Sequence, residues 1–179
     1  MTSNQPSGAV SFHRHKLIIV CGNAGVGKTT FGLQLAATYR ACLLDIDTVS
    51  EPLVRAGLTE MGMDANDRDS TGYKTIYRHA IHETLFDIAA QNLEHLCCII
   101  VAPFTQERRD PSFLGACAVR VRAPVRIYYL RCNEATRRAR IHARNNPRDA
   151  SKLNDWDAYS AIGSDNGVPP FPHTLIETD

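Results

Sequence analysis

Leu17-Ile18-Ile19-Val20-Cys21 runs directly into Gly22-Asn23-Ala24-Gly25-Val26-Gly27-Lys28-Thr29. A continuous apolar run with no polar alternation is what a parallel strand buried on both faces requires. The residues after it satisfy G-x-x-x-x-G-K-[ST] in full, the pattern of a loop whose backbone N–H groups wrap a phosphate where a helix begins. Lys28 supplies an ammonium for the β and γ phosphates of a nucleotide. The Thr29 hydroxyl supplies one Mg²⁺ position, and Thr30 follows in the first helical turn. The expected nucleotide-binding set is therefore Gly22, Asn23, Ala24, Gly25, Val26, Gly27, Lys28, Thr29 and Thr30.

Outward from this loop the chain alternates. Phe31, Leu35, Ala36 and Tyr39 lie at helical spacing, so a helix is expected over 29–39, and Ala41–Ile46 then reads as a strand. Residues 59–72 are poor in large apolar side chains and rich in Asp, and read as a mobile loop. A long helix follows, capped by Asp69 or Ser70, with Ile76, Ala80, Ile81, Leu85, Ile88 and Ala89 on one face. Cys97–Ala102 and Val125–Leu130 read as strands. Asn133 caps a basic helix to Arg144, and Pro147 stops it. A polar helix over 152–161, a Gly/Pro loop over 163–172 and a short strand over 174–177 complete the pattern. Strands alternating with helices at this spacing give an α/β fold, a five-stranded parallel sheet with helices on both faces, whose ligands bind at the carboxyl ends of the strands.

With 179 residues, 44% apolar and 22% charged, the chain fits one domain over 16–179, behind a loose polar tail over 1–15. Collagen-like, coiled-coil and wholly disordered classes are excluded by the same figures. No apolar run approaches the ~20 residues of a membrane helix, and the opening residues lack the apolar stretch of a signal peptide, so no membrane association and a cytoplasmic location are expected. The six cysteines show no metal spacing and read as free thiols, mostly in apolar runs. Nine Arg against the single acid Glu134 between Arg120 and Arg148 point to an anion nearby.

Asp45 and Asp47 lie at the carboxyl end of the second strand. With Ile46 turned away, alternation brings both carboxylates to the phosphate site, Asp45 for the metal and Asp47 for the substrate hydroxyl. The third strand, reading IIVAPF, ends without the acid that a mechanical ATPase places there. Asp69-Ser70-Thr71-Gly72 matches a GTPase DxxG in letters only, because no strand precedes it.

GNAGVGKTT, LLDID and the Arg-rich helix, in that order, resemble the P-loop NTPase-fold kinases of the shikimate, gluconate and adenylate kinase type. More closely the chain resembles the AAA-domain small-molecule kinases, relatives of the zeta-toxin and polynucleotide kinases. In the latter an APF run (Ala102–Phe104) and an R-x-x-x-R/RD-x-x-KL-x-x-W-x-x-Y pattern recur, here Arg140, Arg144, Arg148, Asp149, Lys152, Leu153, Trp156 and Tyr159. The resemblance implies a three-layer sandwich with an Arg-rich lid, ATP and Mg²⁺ as cofactors, Asp47 contacting or deprotonating the acceptor hydroxyl, and Arg140 and Arg144 closing over ATP. Spacing puts Arg137 on the same face as those two and leaves Arg138 as a solvated or structural charge. Arg108 or Arg109 is expected to hold an acidic group of the substrate, with Trp156 or Tyr159 walling its pocket. Such kinases add a helix after the last strand, whereas this sequence stops at Asp179. Either that helix is absent or its place is taken by a neighbouring subunit or by the N-terminal tail, and the bare sheet edge makes a homodimer one of these expectations.

The leading expectation is a kinase for a hydroxyl of a small polar molecule. A polynucleotide or nucleotide kinase is second, disfavoured because Lys is confined to Lys16, Lys28, Lys74 and Lys152. A low-turnover ATP-binding switch or partner module is third.

Overall fold

In the computed structural model, which describes residues 15–164 and 167–179, β1 (Leu17–Gly22) is the central strand. It pairs in parallel with β3 (Cys98–Val101) on one side and β4 (Val125–Arg131) on the other. Outside them lie β2 (Cys42–Asp45) and β5 (Thr174–Glu177), giving an all-parallel five-stranded sheet in the order β2-β3-β1-β4-β5. Every residue of β1 is buried, as its unbroken apolar run requires.

Alternation divides those residues between two cores. Leu17, Ile19 and Cys21 face one side. They join α2 (Ile46–Glu60), α4 (His79–Asn92) and α5 (Phe113–Val121) through Leu58, Leu85, Phe86 and Phe113. Ile18 and Val20 face the other, against Phe31 and Leu35 of α1 (Lys28–Tyr39). Each fully buried Leu or Ile contributes about 1.5–3 kcal/mol, so β1 is the most heavily committed segment of the chain. The remaining helices, α6 (Glu134–Ala143), α7 (Ala150–Asn154) and α8 (Trp156–Ser164), follow β4. Asn133 caps α6 as expected, accepting from the Thr136 N–H at 2.8 Å.

The expected strands all form, but the helices differ in number. Residues 46–60 and 113–121 are helices that the sequence reading does not foresee: it takes Ile46 into the second strand and 59–60 into the loop, and leaves 48–58 and 113–121 unassigned. The long helix before β3 consists of α3 (Thr71–Tyr73), a π-turn at Lys74–Arg78 and α4, with Ser70 as its cap. The acidic stretch shrinks to 61–70, tightened by the Asp67 carboxylate, which accepts from the N–H groups of Asp69 and Ser70. The helix expected over 152–161 is split into α7 and α8.

The tail expected over 1–15 lies outside the described residues except for His15, whose ring bonds the Leu93 carbonyl at 3.2 Å. All six cysteines are free, and burial pushes Cys21 up to about 11 and Cys98 and Cys117 to about 12, so these three stay protonated core thiols. Among the described residues no helix is long and apolar enough to cross a membrane, and no strand pairs with the outer edge of β5.

Candidate active site

The phosphate loop leaves β1 at Gly22 and enters α1 through Gly27, which caps the helix at φ 86°. Gly25, at φ 83°, lies under α6, and a Cβ there would stand 2.9 Å from both the Arg137 carbonyl oxygen and Ile141 Cγ1. Left-handed backbone and absent space together explain why glycine stands at this position. Val26 is buried, and its carbonyl accepts from the Thr178 hydroxyl at 2.9 Å, tying the loop to the end of β5. Lys28 Nζ donates to the Asn23 carbonyl at 2.8 Å, so its ammonium is held inside the loop. Burial lowers the Lys28 ammonium to about 8 against the opposing pull of Asp47, and the Arg108 and Arg144 charges add to the lowering.

The two acids reach the loop by a route different from the one their spacing suggested. β2 ends at Asp45, and Ile46 already begins α2, so strand alternation does not relate Asp45 to Asp47. Asp45 is instead the cap of α2, accepting from the Asp47 N–H at 2.9 Å and from the Thr29 hydroxyl at 2.8 Å. A helix first turn then carries Asp47 toward Lys28. Thr29 and the buried Asp45 carboxylate offer adjacent hard oxygens, a donor set that suits Mg²⁺. Among the described residues no three His, Cys, Asp or Glu side chains cluster as a metal cage, so a cation here would complete its shell with water and nucleotide oxygens.

Asp47 is the exposed acid of the pair, with 56% of its side chain accessible. Arg148 donates Nη1 to Asp47 Oδ1 at 2.9 Å and Nη2 to Oδ2 at 3.2 Å, and Nη1 also reaches Glu51 Oε2 at 2.8 Å. Burial would raise the Asp47 carboxyl, but the Arg148 fork, Lys28 and Arg144 together hold it below the usual carboxylate range. Sequence reading noted Arg148 only as part of a pattern. Its partner is 101 residues away, and no local signal links them.

The arginines of α6 divide differently from their expected face. Arg144 pairs with buried Asp149, Nη2 to Oδ1 at 2.7 Å, and its charge acts on both Lys28 and Asp47. Arg140 lies beside Gly27, but its two terminal nitrogens hold the Thr178 hydroxyl and carbonyl. Arg137 leaves the expected set altogether. Its buried guanidinium packs between Trp156 at 5.2 Å and Tyr159 at 5.6 Å. Arg138 is exposed and covers the same indole at 5.6 Å, a structural charge on the surface.

Two expected substrate contacts change role. Trp156 is 5% exposed, its indole N–H bonds Glu134, and its stacking with Arg137 and Arg138 fastens α8 to α6. Its remaining surface meets a cavity of about 720 Å³ beside Glu134, Ala139 and His142. Arg108, expected as an exposed anion receptor, is 1% exposed. Its Nη2 donates to Asn23 Oδ1 at 2.6 Å while Nε and Nη1 are enclosed over the Tyr129 ring, so it braces the loop from behind. The turn carrying it is held by Glu107, which binds Arg78 and His82.

Solved structures share this fold at low identity. A candidate kinase from Chloroflexus aurantiacus is 19% identical, covering 92% of this chain and 88% of its own, at a TM-score of 0.62. A sugar kinase from Janibacter is 14% identical over 91% of this chain and 84% of its own, at 0.58. A gluconokinase from Sinorhizobium meliloti is 16% identical over 93% and 83%, at 0.53. No curated protein matches the sequence. The AAA domain model matches residues 17–161, from the first residue of β1 into α8. That span holds the phosphate loop, both acids and the arginines that surround them, and the chain belongs to the AAA-domain family of P-loop proteins.

Proposed function

We propose that the protein is an ATP- and Mg²⁺-dependent kinase that phosphorylates a hydroxyl of a small polar molecule. The observation that carries this reading is Asp47, an exposed and ionised carboxylate held beside the ammonium of the phosphate loop. Lys28 and the loop N–H groups would bind the β and γ phosphates, and Thr29 and Asp45 would hold Mg²⁺, which when bound neutralises phosphate charge. Asp47 accepts the acceptor's O–H hydrogen bond and aims its oxygen at the γ-phosphoryl group. A loose transition state asks little of a base, so a carboxylate of lowered basicity suffices as anchor and late proton acceptor. Arg144 faces the charge that spreads over the transferring oxygens, and α6 excludes water from them. Arg140 contributes from beside Gly27 once ATP competes with Thr178 for its guanidinium. The kinase relatives of the fold support this reading by analogy.

A polynucleotide groove is not favoured. Arg131, Arg144 and Arg148 are paired with Glu177, Asp149 and Asp47, and Arg137 is buried, so few cations of the basic stretch are free for a phosphate backbone. The test is ATP consumption with Mg²⁺, alone and with hydroxylated metabolites, aminoglycosides, nucleosides and 5′-hydroxyl oligonucleotides. One chemical class should stimulate turnover. Asp47→Asn should then leave ATP affinity nearly intact and lower turnover by roughly 10²-fold or more. Unchanged turnover in that variant would remove Asp47 from the chemistry.

A further inference from the structure

We propose that Arg148 is a positioning residue for phosphoryl transfer, setting the plane of the Asp47 carboxylate through a two-point fork rather than receiving an anionic group of the acceptor. The inference rests on the kinase reading above and adds a residue to it.

The geometry is specific to a guanidinium. Nη1 and Nη2 reach the two oxygens of Asp47 at 2.9 and 3.2 Å, which fixes the rotation of the carboxylate about its last bond. The second Nη1 hydrogen goes to Glu51 at 2.8 Å, and Nε lies 3.4 Å from Asn146 Oδ1. All but one of the five donors is engaged, so little remains for a second anion. Lysine, with a point charge, cannot reproduce the fork. The fork takes one lone-pair position on each Asp47 oxygen and leaves the opposite edge free for a hydroxyl.

Arg148 is itself held on three sides. Asn146 caps the turn at Pro147–Asp149 by accepting from the Arg148 N–H, and Lys152 Nζ donates to the Arg148 carbonyl at 3.1 Å. Glu51 also binds Arg68 at 2.9 Å, which joins the fork to the acidic loop over 61–70. Asp47 thus takes its orientation from the turn that follows α6, the helix packed over Gly25 of the phosphate loop. The seating of α6 and the alignment of the carboxylate are thereby linked along the chain.

The groups facing Asp47 come from every side: Lys28 of α1, Arg144 at the end of α6, Arg148 of the following turn, Asp45 and Glu51 of its own helix, and Tyr73 of α3. Of these, Arg148 alone forms an ion pair with the Asp47 carboxylate among the described residues. Its removal leaves the carboxylate free to rotate, and the hydroxyl that the carboxylate aims loses its alignment.

The experiment compares wild type, Arg148→Gln and Arg148→Lys by two readouts. The first is the orientation of the Asp47 carboxylate in crystal structures of the nucleotide-free proteins. The second is kcat and the KM values for ATP and for the acceptor class found above. In Arg148→Gln the carboxylate should leave its wild-type plane, kcat should fall roughly 10-fold or more, and both KM values should stay within about two-fold. Arg148→Lys should fall between the other two, and it keeps the test available if the glutamine variant does not fold. An Asp47 carboxylate that keeps its wild-type orientation without the guanidinium overturns the fork. A raised acceptor KM at constant kcat overturns positioning in favour of direct acceptor binding. The structural readout needs no turnover, so failure of the kinase reading, seen as absent transfer by wild type, is recognised separately.

Discussion

At Lys28, burial and charge act against each other within one side chain. Burial disfavours the ammonium, Asp47 favours it, and the balance leaves it at about 8. On the proposed function the protonated amine binds phosphate, so affinity for ATP should decline as pH rises through about 8 in the free protein. ATP bound at pH 8 should draw a proton from buffer, because the phosphates restore the charged form. Calorimetry in two buffers of different ionisation enthalpy reads this directly, and identical binding heats would contradict it. The residues of the phosphate loop were legible in the sequence because the chemistry is carried by a contiguous pattern. Arg148 was not, since its role exists only through a partner on another element, and Arg108 was misread because a guanidinium buried behind a loop leaves the same letters as an exposed one.

Among the elements, α6 and the phosphate loop are the pair that must meet. Their contact passes over Gly25, so Gly25→Ala should cost about 1–2 kcal/mol for the left-handed backbone alone, before the clash with the Arg137 carbonyl. Lower thermal stability together with ATP affinity weakened by at least about 10-fold is expected. A variant with wild-type melting and binding would show that α6 does not press on the loop. The strands were readable because each is a short apolar run bounded by polar residues. α5 carries an equally plain pattern, Phe113, Cys117 and Val121 at intervals of one helical turn, yet it is short and follows an irregular arginine-bearing turn. In α2 the pattern is obscured by Pro52, which removes one backbone donor inside the helix, and by the DxD motif at its start, which invites a strand reading. Both acids still face the first helix, because Asp45 caps α2 at the strand's end and bonds Thr29, and Asp47 two positions later lies beside Lys28.

For the molecule as a whole, the order of strands in space departs from their order along the chain. β1 is nearly the first described segment, yet its two neighbours are the third and fourth strands. During synthesis its apolar residues therefore leave the ribosome without a partner, gain one flank when 98–101 emerges, and lack the second until 125–131 follows. A nascent chain halted at Arg122 has made the phosphate loop and both acids but cannot enclose the strand that supports them. Such a fragment should be degraded by protease at rates typical of unfolded chain and should associate through exposed β1, while extension past β5 should give resistance in a single step. A protease-resistant, ATP-binding fragment of that length would show instead that the centre of the sheet can be completed from one side.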